Sequence, residues 1–167
     1  MDEYLVVANQ TLGGEKLERT VRERIERGDS SFYVLVPITP PHDESGWSGG
    51  FVAYEGMSGD EARAWFEQDG EHRRAQMEEA RSLAERRLAR MLQAIEEAGA
   101  RAEGAVCDAD PLDAVKKRLA ESSYTEVIVS TLPERLSRWL KMDLPSRVAR
   151  ASSAPVTTIE ADRTADV

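Results

Sequence analysis

The chain has 167 residues, of which 41% are hydrophobic and 32% are charged, and its formal net charge is −9. Its apolar runs are shorter than the ~20 residues that cross a bilayer, and its acidity disfavours nucleic acids and anionic membranes as partners. The amino terminus lacks the basic region of a secretory signal. We therefore expect a globular protein located in the cytoplasm.

The first part of the chain alternates apolar, β-rich runs with an amphipathic helix. The run YLVVA, Tyr4–Ala8, predicts a strand buried on both faces, and FYVLVPI, Phe32–Ile38, predicts a second one. Between them, apolar residues recur every four positions and predict a helix that ends near Gly28. The Pro, Gly, Ser and acidic residues of 39–59 then predict a long loop.

The middle of the chain begins with a long helical pattern. It predicts a helix over Asp60–Ala98 with a break at Gly70, because glycine is a poor helix former. Strands are predicted at Ala100–Cys107 and Glu126–Ser130, with a helix between them that has Pro111 in its first turn.

A further helix and a last strand, Ala154–Ala161, complete the order β-α-β-α-β-α-β-α-β, and a polar tail, 162–167, follows. Such regular alternation predicts an α/β fold, with a parallel sheet covered by helices on both faces. We expect one domain over residues 1–161, with the long loop at about 39–59.

The loops after strands one and four contain the residues best suited to bind a ligand. Open parallel sheets bind ligands beyond the carboxyl ends of their strands, where the strand order reverses. These loops supply neutral hydrogen-bonding groups, to which two arginines add positive charge. The alternative interpretation is that the polar residues are turn or cap residues and that the arginines lie on a solvated helix face. The candidate ligand-binding residues are Ala8, Asn9, Thr11, Ser130, Thr131, Arg135 and Arg138.

Common catalytic and metal signatures are missing from the sequence. It contains no Walker or G-x-G-x-x-G motif, and its G-x-S-x-G match, GWSGG at Gly46–Gly50, lies within the predicted 39–59 loop, where we expect no nucleophile elbow. His42–Glu44 has metal-ligating side chains, but consecutive residues of a loop seldom converge on one ion, so we expect no metal site there. The single cysteine, Cys107, is expected to be a buried, inert thiol.

The end of the sequence resembles the universal stress protein family. An apolar strand and a loop are followed by SRWL at Ser137–Leu140, by RVAR at Arg147–Arg150 and by PV at Pro155–Val156. The resemblance extends over nearly the whole chain. It implies a Rossmann-like fold of the adenine-nucleotide α-hydrolase type, with a five-stranded parallel sheet in the order 3-2-1-4-5.

The same resemblance implies a degenerate ATP-binding motif. Nucleotide-binding members have G-x2-G-x9-G-[S/T] here, and this sequence has Ser130, Pro133, Asp143 and Leu144 at those positions. Pro133 has no N–H to donate, and Asp143 adds a negative charge, so both act against triphosphate binding. Ser146 is the candidate to replace the missing hydroxyl.

The resemblance therefore implies a regulatory, stress-linked binding protein that is not an enzyme and requires no cofactor. The main alternative is an atypical nucleotide or anion binder that takes ATP, AMP or a phosphate-like anion and hydrolyses ATP slowly. A third is a scaffold for an unknown protein partner, using Trp47, Phe51 and Trp65. We also expect a homodimer through the last strand, Val156–Ile159, because an exposed edge strand can pair across a two-fold axis.

Overall fold

The computed structural model describes residues 1–8, 11–39, 58–132 and 143–161. Asn9, Arg135, Arg138, most of the predicted 39–59 loop and the predicted tail lie outside these ranges. The strands are β1 Asp2–Val7, β2 Ser30–Pro37, β3 Arg101–Cys107, β4 Glu126–Thr131 and β5 Val156–Glu160, and the helices are α1 Glu15–Ile25, α2 Gly59–Glu97, α3 Leu112–Glu121 and α4 Leu144–Ala151.

The five strands form one parallel sheet in the order β3-β2-β1-β4-β5, which confirms the predicted fold class. β1 lies at the centre, with Leu5 opposite Tyr33 of β2 and Val127 of β4. Residues Tyr4–Val7 are at most 1% exposed. This burial explains why the strand is apolar without alternation, since helices cover both faces of a parallel sheet.

Side chains of alternate parity divide the core into two layers. On the α1/α2 face, Tyr4, Val6 and Ile128 pack with residues of α1 and α2. On the α3/α4 face, Leu5 and Val127 belong to a cluster that also contains residues of α3 and α4. Because successive residues of a strand point to opposite faces, the face of each strand residue follows from its position in the chain.

Helix α2 runs without interruption from Gly59 to Glu97, so the predicted break at Gly70 is wrong. A capping box begins the helix: the Ser58 hydroxyl accepts from the Glu61 N–H at 3.4 Å, and the Glu61 carboxylate accepts from the Ser58 N–H at 2.9 Å. A single glycine costs a helix interior only ~1 kcal/mol, which its helix-forming neighbours outweigh.

Only the carboxyl-terminal part of α2 packs on the sheet. Ala84, Met91 and Ile95 are at most 5% exposed, whereas all side chains of residues 71–83 are half-buried or exposed. A 39-residue helix is ~58 Å long, while β2, with eight residues, spans only ~26 Å. Since α2 runs antiparallel to the strands it connects, its part Gly59–Leu83, here called the arm, extends past the carboxyl edge of the sheet.

An ion pair at the amino edge of the sheet joins α1 to β4. Arg24 donates two hydrogen bonds to the Glu126 carboxylate, with Nε 2.7 Å from Oε2 and Nη2 3.0 Å from Oε1. The Thr157 hydroxyl of β5 donates to the same carboxylate. The hydrogen bond from Arg24 lowers the pKa of Glu126 despite the opposing effect of burial. The carboxylate thus holds α1, β4 and β5 together.

Two glycines lie in different environments: Gly104 of β3 is closely packed, whereas Gly70 lies in the interior of helix α2. A Cβ at Gly104 of β3 would lie 2.4 Å from the Val34 carbonyl oxygen and 2.6 Å from Leu88 Cδ1, so Gly104→Ala should lower the free energy of unfolding by about 1–3 kcal/mol. A Cβ at Gly70 would contact no described residue within 4 Å, so Gly70→Ala should raise the free energy of unfolding by about 0.5–1 kcal/mol. Urea unfolding measures both, and effects of the same sign would contradict the packing of α2 on β3.

The Arg24–Glu126 pair should make stability depend on pH. Because the folded pKa of Glu126 is below the ordinary value of 4.5, the stabilisation is complete above that value and is lost as the pH falls through the folded pKa. Glu126→Gln should therefore lower the free energy of unfolding by about 1–3 kcal/mol at neutral pH, and by less in acid. Glu23→Gln is the control, because the Glu23 carboxylate contacts the same Arg24 at 3.6 Å but is 52% exposed. A deficit for Glu126→Gln that does not change between about pH 3 and pH 7 would contradict the linkage.

Candidate functional site

The carboxyl ends of β1 and β4 meet where the strand order reverses. The chain leaves β1 towards β2 and β3 on one side and continues at β4 and β5 on the other, which is the arrangement beside which open parallel sheets bind their ligands. The Thr11 hydroxyl donates to the Ser130 carbonyl at 3.2 Å, and the Ala8 N–H donates to the Leu35 carbonyl at 3.1 Å. The structure thus brings Ala8, Thr11 and Ser130 together at this edge, while their role towards a ligand stays a prediction.

Ser130 and Thr131 have buried hydroxyls without a hydrogen bond to the described part of the chain. Each residue is 1% exposed. Such a hydroxyl costs ~1–3 kcal/mol, which calls for an explanation at this position. By parity, Ser130 follows Ile128 onto the α1/α2 face and Thr131 follows Val129 onto the α3/α4 face. The two hydroxyls, predicted as parts of one site, therefore point to opposite faces of the sheet.

On the α1/α2 face, a tight turn precedes α1. Gly13 has a φ of 83°, and the Gly14 N–H donates to the Thr11 carbonyl at 3.0 Å. Gly14 caps α1 without a side-chain hydrogen bond, so the first turn offers backbone donors at this edge. The same turn contains the carboxylates of Glu15 and Glu18, which act against a bound anion.

On the α3/α4 face, α4 begins with residues that suit a phosphate poorly. Asp143 is the N-cap residue and has φ 53° and ψ 37°, a left-handed conformation that glycine adopts most readily. Pro145 in the first turn has no N–H to donate. The helix start therefore keeps a backbone conformation typical of glycine but has lost a donor and gained a carboxylate.

The described arginines of α4 are paired with carboxylates. Arg147 Nη1 lies 3.5 Å from Asp110 Oδ2, and Arg150 Nη2 lies 3.4 Å from Asp143 Oδ2. Both pairs are substantially exposed and contribute ~0–1 kcal/mol each. Ser146 is exposed on the same helix, and its carbonyl accepts from Arg150 Nε at 3.3 Å. The cations of α4 are thus partly neutralised by the protein's own acids.

Cys107 lies at the carboxyl end of β3 and is half-buried, so its thiol is less enclosed than predicted. Burial, reinforced by Asp108 and Asp110, raises the pKa of the thiol to about 12. The thiol is therefore protonated and unreactive at neutral pH.

Among the described residues there is no metal-ligating cluster of three or more side chains, and none of the described helices is long and apolar enough to cross a membrane.

Three residues around this edge were missed by sequence reasoning. Pro145 is a common helix-start signal, which its position in the LPSR segment could have revealed. Asp110 accepts the Leu112 N–H at 3.1 Å and also reaches Arg147. Lys16 donates to the Glu160 carbonyl at 3.0 Å, a contact across 144 positions that no local pattern indicates.

Solved structures match the fold, although no protein-family model and no curated protein matches the sequence. A universal stress protein from Archaeoglobus fulgidus is similar with a TM-score of 0.52 and 13% identity, over 95% of this chain and 93% of that chain. Hypothetical protein MJ0577 is similar with a TM-score of 0.52 and 12% identity, over 97% of each chain. A universal stress protein in complex with cAMP gives a TM-score of 0.47 and 12% identity, over 96% of this chain and 98% of that chain. The two matches with a TM-score of 0.52 show that the chain has the universal stress protein fold, which confirms the resemblance at the level of the fold.

Proposed function

We propose that this protein is a diverged universal stress protein that acts as a regulatory binding protein and does not hold ATP at the start of α4. The observation that supports this most directly is the left-handed Asp143 at the N-cap of α4. The family resemblance assigns this position to a glycine of the phosphate loop. A residue that keeps the glycine conformation while adding a carboxylate changes the charge at this position and preserves the backbone conformation of residue 143 itself.

Charge and donor count both oppose a triphosphate at this helix start. Two like charges 4 Å apart repel by ~1 kcal/mol in water and by ~4 kcal/mol at an effective dielectric constant of 20. Pro145 also leaves the first turn with one N–H group fewer than an ordinary helix start, which weakens the usual anion site of a helix N-terminus. These effects add, because the charge and the missing donor act on the same bound oxygens.

The second candidate function is the binding of a smaller or differently placed anion or nucleotide. It is favoured by the buried hydroxyls of Ser130 and Thr131, which have no hydrogen-bond partner among the described residues and which a ligand oxygen at the β1/β4 edge would satisfy. Arg135 and Arg138 are the cations that the sequence adds to this edge. Since the two hydroxyls lie on opposite faces, such a ligand would engage one of them together with the loop after β1 or the start of α4.

ATP, ADP, AMP and inorganic phosphate should each leave the melting temperature of the protein unchanged. A ligand at about 100 times its Kd adds about 2.7 kcal/mol of stability, which a thermal-shift measurement detects readily. We expect Asp143→Gly to raise the melting temperature without ligand, because it removes up to about 1 kcal/mol of left-handed strain. We also expect ATP or phosphate to raise it further in this variant than in the wild type.

Asp143→Asn is the matched control, since asparagine tolerates the left-handed conformation and lacks the charge. If the charge is the main obstacle, Asp143→Asn should gain ligand response as Asp143→Gly does. A clear shift of the wild-type protein with ATP would contradict the leading proposal. A shift with phosphate or AMP alone would favour the second candidate.

The proposal includes a homodimer through the edge strand β5. The Pro155 carbonyl accepts from the Val127 N–H, and the Ala161 N–H donates to the Thr131 carbonyl, each at 2.9 Å. In a parallel pair, residues of one strand face the neighbouring strand and the outside in alternation. Thr158 therefore directs its N–H and carbonyl outward, where a second copy of β5 can bind them.

Thr158→Pro should dissociate this dimer. Proline removes the outward N–H and leaves the hydrogen bonds to β4 in place, as proline does on natural edge strands. Light scattering coupled to gel filtration should show the mass falling towards 18.6 kDa, the mass of one chain. Thr158→Val keeps the N–H and is the control, which should remain dimeric. A wild-type mass of one chain at micromolar concentration would remove the dimer from the proposal.

A further inference from the structure

The arm extends an apolar stripe of α2 beyond the sheet. Gly70, Met77, Ala84 and Met91 recur at intervals of seven and lie on one face of the helix. Ala84 and Met91 are 1% and 5% exposed against the sheet, whereas Met77 is 42% exposed. Ala80 widens the stripe at the intermediate heptad position, which one heptad earlier is occupied by Arg73, an exposed side chain paired with Asp69 at 2.9 Å. The face that anchors α2 to β2 and β3 therefore continues, without a covering element in the described chain, along residues 70–80.

A charged stripe flanks this apolar face with an unusual symmetry. Glu71, Arg74, Glu78 and Arg81 alternate in sign, and the spacings between them are three, four and three residues. Read in the opposite direction the spacings are the same and every sign is inverted. An antiparallel copy of the arm, centred near residue 76, therefore places each of these charges opposite a charge of the other sign.

We propose that the arms of two copies of this chain pair in antiparallel orientation through this face. In that pairing Glu71 lies opposite the partner's Arg81, and Arg74 lies opposite the partner's Glu78. Antiparallel helices bring the same flank of each helix together, so one charged stripe meets its own copy. The absence of a side chain at Gly70 permits close approach of the two helices. This contact is separate from the β5 contact proposed above.

The symmetry provides a test by charge reversal and mixing. Arg74→Glu places two carboxylates opposite each other in a pair of identical copies, and Glu78→Arg places two guanidinium groups opposite each other. In a mixed pair the introduced glutamate at position 74 meets the introduced arginine at position 78, and both contacts are attractive. We expect tagged Arg74→Glu to capture untagged Glu78→Arg about tenfold more strongly than either variant captures its own kind, with the preference weakening in high salt.

Any contact through β5 contributes equally to mixed and identical pairs, so it cannot produce this preference. The control is the pair Glu79→Arg and Arg86→Glu, which changes the net charge by the same amounts on the opposite face of α2. The control pair should show no preference for mixing. Equal capture in mixed and identical pairs of the Arg74 and Glu78 variants, or an equal preference in the control pair, would overturn the antiparallel arm contact.

Discussion

The alternation of side chains along the parallel strands is the constraint on which the rest of this structure depends. It places Ile128 and Ser130 on the α1/α2 face and Val129 and Thr131 on the α3/α4 face. Ser130 and Thr131, the last two residues of β4, therefore face different layers of the core. The β1/β4 edge consequently has two walls with different chemistry, one formed by the turn before α1 and the other by the start of α4.

The two walls have diverged from an ordinary anion site in different ways. The loop before α1 keeps glycines and a tight turn, but carboxylates follow in the first turn of the helix. The start of α4 keeps the left-handed residue, at Asp143, but adds its charge and a proline. In both cases the backbone geometry suits an anion while nearby groups oppose it. This pattern supports the proposal that the chain does not hold ATP at the start of α4.

Helix α2 shows that the effect of a glycine on stability depends on helix propensity at one position and on packing at another. No described residue would contact a side chain at Gly70, and the many good helix formers around it outweigh its low helix propensity. Gly104 lies on a strand where the Val34 carbonyl and Leu88 leave no room for a side chain, a requirement set by the approach of α2. The sequence pattern predicted a break at the first glycine and gave no signal at the second. Contacts between elements distant in sequence decide the importance of a glycine, and local pattern does not contain them.

The sequence by itself determined the order and type of the elements, because burial on both faces makes the strands apolar and amphipathic periodicity identifies the helices. It also determined which polar residues follow β1 and β4, and the resemblance supplied the strand order. Only the tertiary structure decided that the hydroxyls of Ser130 and Thr131 diverge, that Asp143 is left-handed and that Arg24 pairs with Glu126. These features depend on the register of distant strands and on backbone angles, which no local spacing of residues encodes.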